Sequence, residues 1–147
     1  MNINFTPGPS QLYYTVEDHM RQAFRNGIPS ISHRSKEFES IYADVKNGLH
    51  ELLGLPTGFY IFFTGSATEI WERSVQNLVE KNSAHFVNGA FSKRYFEIAG
   101  QLGKAAFKAE VPLGSGFTES ITLPEQTELI ALTHNETSTG VHCLLHL

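Results

Sequence analysis

The chain is poor in cysteine and contains no long apolar run. Among its 147 residues Cys143 is the sole cysteine, so an internal disulfide is excluded and a reducing compartment is expected. No apolar run approaches the roughly 20 residues that cross a bilayer, and the first residues lack the basic and apolar regions of a signal peptide. We therefore expect a cytoplasmic protein without a membrane partner.

Three other kinds of signal are missing. The formal net charge is -4 and the charges are interspersed, which argues against a nucleic-acid partner. The seven histidines are scattered, and none has zinc-site spacing with cysteine or carboxylate partners, so no metal is expected. Neither the G-x-G-x-x-G motif nor a P-loop lysine is present, which argues against NAD and ATP.

Strand and helix patterns alternate along the chain. Ser35 is a capping candidate for the longest helical pattern, whose apolar residues run from Phe38 to Leu53 and which Gly54 ends. Another helix follows Thr15. Four strands are predicted, at 59–63, 84–88, 104–111 and 128–133. The alternation predicts an α/β fold with a mostly parallel sheet and flanking helices, preceded by an irregular N-terminal arm over residues 1–14.

The stretch from Phe59 to Leu78 carries the first chemical signal. An apolar run is followed by small residues and then by Ser66-Ala-Thr-Glu69, a capping-box pattern. A helix that begins this way at the edge of a sheet leaves backbone N–H groups and a positive dipole end for a phosphate. An ordinary strand-to-helix turn has the same pattern, so both interpretations remain open on this motif alone.

Small polar turns follow three of the four predicted strands. They are Thr64–Thr68, Asn88–Ser92 and His134–Gly140. Ligands of open α/β sheets bind at the carboxyl ends of the strands. We therefore expect the three turns to converge on one crevice.

Five segments carry a resemblance to a known family: Phe5-Thr-Pro-Gly-Pro9, Ile31-Ser-His-Arg-Ser-Lys-Glu-Phe38, Gly65-Ser-Ala-Thr68, Asn88-Gly-Ala-Phe91 and His134-Asn-Glu-Thr-Ser-Thr-Gly140. Together they resemble the N-terminal part of a class V, fold-type I pyridoxal-phosphate aminotransferase, most like the phosphoserine aminotransferases. The resemblance implies an incomplete large, cofactor-binding domain over residues 15–147, without the small C-terminal domain.

The resemblance also implies roles for particular residues. The backbone amides of Ser66, Ala67 and Thr68 would hold the phosphate of pyridoxal 5'-phosphate. Phe91 would stack on the pyridine ring, at a position where many relatives have tryptophan. Thr137 would contact the cofactor from the other side. From the residues alone, Phe91 is equally a core aromatic, and Thr137 a hydroxyl that satisfies a turn.

His33 and Arg34 resemble the pair that recognises the acidic substrate. A planar guanidinium binds a carboxylate or phosphate through two parallel hydrogen bonds. The implied reaction transfers an amino group between glutamate and 3-phosphohydroxypyruvate, which gives phosphoserine in serine biosynthesis, within a homodimer. Without the resemblance, Arg34 is a solvated surface charge.

The residues that would complete the chemistry are not found. In the family, a Schiff-base lysine and a carboxylate for the pyridine nitrogen follow the Asn-Glu-Thr string, and none of the lysines here matches that position. We therefore expect the 147-residue chain to be inactive alone and prone to self-association. The alternatives are another class V aminotransferase, of the serine or alanine–glyoxylate type, and a non-catalytic remnant that binds a phosphorylated ligand or only associates with itself.

Overall fold

The structure is a computed structural model that describes residues 3–6 and 8–143. Parts of the predicted arm (Met1, Asn2 and Pro7) and the last four residues lie outside this range. The chain divides into two compact units, residues 1–62 and 63–147. Each unit is described by itself.

The first unit contains two α-helices. α1 spans Val16–Arg25 and is followed by a short 3-10 helix, Ile28–Ser30. α2 spans Lys36–Leu53. Ser35 caps α2, since its hydroxyl accepts the Phe38 N–H at 3.1 Å. Gly54 ends it in the left-handed conformation with φ 60°. These predicted boundaries are confirmed, whereas Thr15 precedes α1 without a side-chain capping bond.

The predicted strand at 59–63 is wrong. No regular element forms there, and the exposed fractions of Tyr60 and Phe62 are 83% and 78%. A strand needs a neighbour for its backbone hydrogen bonds, and this segment is a member of neither sheet of the described residues. Apolar character alone therefore did not make this segment a strand.

The second unit is built on a three-stranded parallel sheet, which confirms the predicted fold class. Its elements are α3 (Ala67–Leu78), β1 (Asn82–Val87), α4 (Ala90–Gln101), β2 (Ala105–Glu110) and β3 (Leu129–Leu132). The strand order is β2-β1-β3, and β1 pairs with both neighbours in parallel. A short antiparallel pair follows, β4 (Asn135–Glu136) with β5 (Val141–His142).

The core of this unit lies between the sheet and two helices. Val75, Val79 and Ala99 are buried together, with Tyr95 and Leu129 packed against them. The ring of Tyr95 stacks on Trp71 of α3 at 5.4 Å between centroids. The packing fixes both helices against the sheet. Among the helices of residues 3–6 and 8–143, none is long and apolar enough to cross a bilayer.

Candidate functional site

The amino end of α3 has the predicted capping residues. The Ser66 hydroxyl accepts the Glu69 N–H at 3.2 Å. The Glu69 carboxylate reaches back to the Gly65 N–H at 3.0 Å, one residue earlier than a standard capping box requires. The Ser66 backbone is extended, with φ -164° and ψ 162°. The helix therefore starts sharply at Ala67.

Three backbone donors at this helix end remain available. Within the described residues, the N–H groups of Ser66, Ala67 and Thr68 form no hydrogen bond, and all three residues are exposed. Free N–H groups at a helix amino end carry the positive end of the helix dipole. The end of α3 can therefore accept an anion.

The amino end of α4 is different, because the chain's own carboxylate occupies it. Glu136 of β4 is completely buried. Its Oε2 accepts the Ser92 N–H at 2.9 Å and the Ser92 hydroxyl at 2.8 Å, and its Oε1 accepts the Phe91 N–H at 3.4 Å. Ser138 donates a further hydroxyl bond to Oε1 at 2.5 Å. The positive end of α4 is thus already neutralised.

These contacts keep Glu136 ionised despite its burial. Burial raises the pKa of this carboxyl, but the hydrogen bonds from Ser138, Ser92 and Phe91 outweigh it, so the pKa is lowered from its usual value. Glu136 therefore carries its negative charge inside the protein at neutral pH.

Two of the three predicted turns do converge. Ser138 accepts the Ala90 N–H at 2.8 Å, and the Thr139 hydroxyl donates to the Asn88 carbonyl at 3.3 Å. These bonds join the His134–Gly140 loop to the Asn88–Ser92 turn. The third turn, Thr64–Thr68, was predicted to follow a strand, but no strand precedes it. It begins α3, whose Trp71 ring makes an edge contact with Phe91 at 6.5 Å.

Phe91 and Thr137 both lie next to Glu136. The Phe91 N–H bonds to its carboxylate, and Thr137 follows it in the chain. Phe91 is in the first turn of α4 and 46% exposed. Thr137 is exposed and lines a shallow cavity with Asn135 and Gly140. A larger cavity of about 440 Å³ opens at the carboxyl ends of β1 and β2, but neither predicted residue lines it.

His33 and Arg34 lie in the turn before α2, in the first unit. Both are exposed. The Arg34 N–H bonds to the Ser32 hydroxyl at 3.2 Å. Within the described residues, neither the imidazole of His33 nor the guanidinium of Arg34 forms a hydrogen bond or an ion pair. Both side chains can therefore receive a ligand.

Glu136 and Ser92 were missed by the sequence-based prediction. Glu136 belongs to the Asn-Glu-Thr string, of which only Thr137 was given a role. The available signal was an acidic residue in the loop that follows β3, at the edge of the sheet where helix amino ends lie. Its helix partners lie 44 and 45 residues earlier in the chain, a separation that no local pattern reveals.

Comparison with known proteins identifies relatives for most of the chain. A phosphoserine aminotransferase of Corynebacterium glutamicum (strain R) is 32% identical over 141 residues, which cover 92% of this chain and 36% of that protein. One of Aromatoleum aromaticum is 32% identical over 155 residues, which cover 94% of this chain and 42% of that protein. The chain thus spans well under half the length of these curated relatives. No protein-family model matches it.

Solved structures of aminotransferases match the fold. The crystal structure of a phosphoserine aminotransferase from Cytophaga hutchinsonii matches with a TM-score of 0.91 and 55% identity, covering 95% of this chain and 39% of that one. An alanine–glyoxylate aminotransferase from Nostoc matches with a TM-score of 0.72 and 25% identity, covering 95% and 37%. By sequence and by fold, the chain belongs to the phosphoserine aminotransferase family and corresponds to an N-terminal portion of its members.

Proposed function

We propose that the chain is the cofactor-phosphate-binding part of a pyridoxal-phosphate-dependent phosphoserine aminotransferase. The observation that carries this proposal is the contrast between two helix ends. Three N–H groups at the start of α3 have no partner among the described residues, whereas Glu136 fills the start of α4. An added anion is therefore accepted at α3.

The α3 end fits a phosphate in donor number and in charge. A phosphate monoester presents three strong acceptor oxygens and up to two negative charges. Ser66, Ala67 and Thr68 supply three donors, and the helix dipole favours the charge. At α4 the same phosphate would meet the buried carboxylate of Glu136, and like charges repel.

Phe91 and Thr137 supply the remaining contacts in this proposal. The half-exposed ring of Phe91 offers a flat face for offset stacking on the cofactor ring. The bond from its N–H to Glu136 holds that turn in position. Thr137 is exposed beside Glu136 and supplies a hydroxyl from the neighbouring loop. When bound, pyridoxal phosphate supplies the electron sink for amino-group transfer.

His33 and Arg34 recognise the acidic substrate in this proposal. The Arg34 guanidinium has no ion-pair partner among the described residues, so its paired N–H groups are free for a carboxylate or phosphate. Glutamate and phosphoserine both present such anions. Amino-group transfer also needs the Schiff-base lysine and the carboxylate for the pyridine nitrogen, which we place outside these 147 residues. The 147 residues alone then bind without turnover, and the complete enzyme is a cytoplasmic homodimer whose large domain includes residues 15–147.

A second candidate is an aminotransferase of the alanine–glyoxylate type. The match to the Nostoc protein favours it. The two candidates differ in the charge of the substrate side chain. In a complete protein, replacing Arg34 by lysine should weaken the binding of phosphoserine far more than the binding of alanine if the phosphoserine assignment is correct.

The phosphate site is tested by removing one backbone donor without breaking the helix. Proline is well tolerated at the first position of a helix, and the extended Ser66 backbone suits a following proline. Ala67→Pro therefore deletes one N–H from α3. Because a hydrogen bond to a charged group contributes about 1.5–3 kcal/mol, we expect roughly 10- to 100-fold weaker binding of pyridoxal phosphate, measured by its absorbance change.

Lys36→Pro is the matched control. Lys36 is the first residue of α2 and also follows an extended capping serine, so this variant should leave pyridoxal phosphate binding unchanged. Pyridoxal without the phosphate should bind wild type and Ala67→Pro equally weakly. Equal affinity of Ala67→Pro and wild type for pyridoxal phosphate would contradict the α3 site.

A further inference from the structure

His134 and His142 form an exposed pair at the short β4–β5 ladder. Their Nε2 atoms form a hydrogen bond of 2.9 Å in which one ring donates and the other accepts, and the rings are nearly perpendicular with centroids 4.4 Å apart. Both residues are exposed. We infer that this pair is a bidentate surface site for a divalent transition-metal ion such as Ni²⁺, Cu²⁺ or Zn²⁺, beside the shallow cavity that His142 lines together with Thr137.

The spacing of the two nitrogens suits one shared ion. Imidazole nitrogens bind zinc at about 2.0–2.1 Å, so two of them in neighbouring coordination positions lie roughly 3 Å apart. The observed 2.9 Å agrees with this separation. On metal binding the Nε2–Nε2 hydrogen bond would be lost: the donor ring would move its proton to Nδ1, so that both Nε2 lone pairs become available to the ion.

The backbone around the pair is held in place. The Cys143 N–H donates to the His134 carbonyl at 2.8 Å, and Asn135 pairs with His142 in the ladder. Thr139 closes the intervening turn by a bond from its N–H to the Glu136 carbonyl at 3.2 Å. The two imidazoles are therefore presented together with little further ordering of the chain.

The ligand set selects the class of metal. Imidazole suits zinc, copper and nickel, whereas magnesium and calcium prefer oxygen ligands. Within the described residues no group of three or more His, Cys, Asp or Glu side chains could hold a metal. The nearby Glu136 carboxylate is fully occupied by hydrogen bonds. Water therefore completes the coordination.

The test is equilibrium binding of Ni²⁺ or Cu²⁺ alone to the whole chain, in a buffer that does not chelate metals. One ion per chain is expected. His134→Gln and His142→Gln should each weaken binding at least as much as the roughly 10- to 100-fold cost of losing an outer-shell partner. His19→Gln changes another exposed histidine, on α1, and should have no effect.

A spectroscopic signature accompanies the titration. Paramagnetic broadening by substoichiometric Cu²⁺ should first affect the ring signals of His134 and His142. Binding that survives in His134→Gln, broadening centred on other histidines, or absence of a stoichiometric site in wild type would each overturn the inference. Circular dichroism of the variants verifies that the substitutions leave the fold intact.

Discussion

At the scale of single residues, the buried position of the Glu136 carboxylate depends on the absence of a side chain at Gly89. The Gly89 backbone is extended, with φ -177°, so its conformation does not require glycine. A Cβ at this position would overlap Cγ and Cδ of Glu136 and lie 2.6 Å from the Ser138 hydroxyl oxygen. Close approach, not backbone strain, is the reason for glycine here.

Gly89→Ala is therefore expected to be destabilising. Overpacking of this kind costs roughly 1–3 kcal/mol in the free energy of unfolding, and displacement of Glu136 adds the loss of its hydrogen bonds. Urea unfolding measures the change. Gly100→Ala is the matched control, because a Cβ there has open space in the same helix and should stabilise by about 0.5–1 kcal/mol. Equal stability of Gly89→Ala and wild type would show that the loop yields freely.

His85 is the other buried polar residue with a measurable consequence. It is 1% exposed, its Nε2 lies 2.9 Å from the Ser83 hydroxyl, and its Nδ1 has no partner among the described residues. The rings of Tyr95 and Phe96 contact it edge to face. Burial lowers the pKa of His85 to about 4, because the charged imidazolium would lose its contact with water.

Stability should consequently depend on pH between the unfolded and folded pKa values of His85. The unfolded chain binds the proton from about pH 6.5 downward, whereas the folded chain does so only near pH 4. The contribution of His85 to the free energy of unfolding is fully present above pH 6.5. It is lost as the pH falls to 4, and the loss is about 3 kcal/mol at most. Urea unfolding across this range measures it, and His85→Gln should flatten the slope. An identical slope in the variant would contradict this origin.

At the scale of secondary-structure elements, one carboxylate joins the starts of two strands. Glu128 directly precedes β3, and its Oε2 accepts the N–H groups of Glu80, Lys81 and Asn82 at 2.8, 2.8 and 3.1 Å. The Lys81 bond is the largest cause of its lowered pKa, and burial opposes the shift. This contact sets where β3 begins against β1.

Glu128→Gln is expected to lower the melting temperature at neutral pH. The amide keeps the shape but loses the charge that strengthens three hydrogen bonds. Because the folded pKa is lowered, the stabilisation is present above the unfolded pKa and disappears as the pH falls through the folded value. The variant and wild type should therefore converge in acid. Glu125→Gln, an exposed carboxylate in the same loop, is the control.

At the scale of the whole molecule, large apolar side chains are exposed. The exposed fractions of Phe5, Tyr60 and Phe62 are 90%, 83% and 78%, and the last two rings stack on each other at 6.5 Å. Exposed aromatic clusters of this kind promote association in water. Tyr60 and Phe62 belong to the apolar segment at 59–63, which the sequence predicted to be a buried strand, whereas Phe5 belongs to the N-terminal arm.

We therefore expect the 147-residue chain to self-associate, as the sequence predicted. Sedimentation velocity over a range of concentrations should give a rising average mass. Phe62→Lys should reduce it, because the change removes exposed apolar area and adds a charge. Gln101→Lys adds the same charge to an exposed polar position of α4 and should lower the average mass less. A concentration-independent monomer would refute the expectation.

Local chemistry in the sequence determined much of this protein. Ser35 and Gly54 bound α2 because a hydroxyl cap and a left-handed glycine act within a few residues of the helix end. Ser66 and Glu69 start α3 for the same reason. The run at 84–88 predicted a buried strand, which the structure has as β1 over Asn82–Val87.

Tertiary structure alone decided which segments found partners. The aromatic segment at 59–63 has strand composition, yet strand pairing is a non-local event and this segment pairs with no strand of the described sheets. Glu136 became a buried helix cap because folding brought it to residues more than 40 positions earlier. Hydrogen bonds between distant residues depend on the whole packing arrangement. The sequence pattern therefore predicted the capped start of α3, but not that a distant carboxylate fills the start of α4.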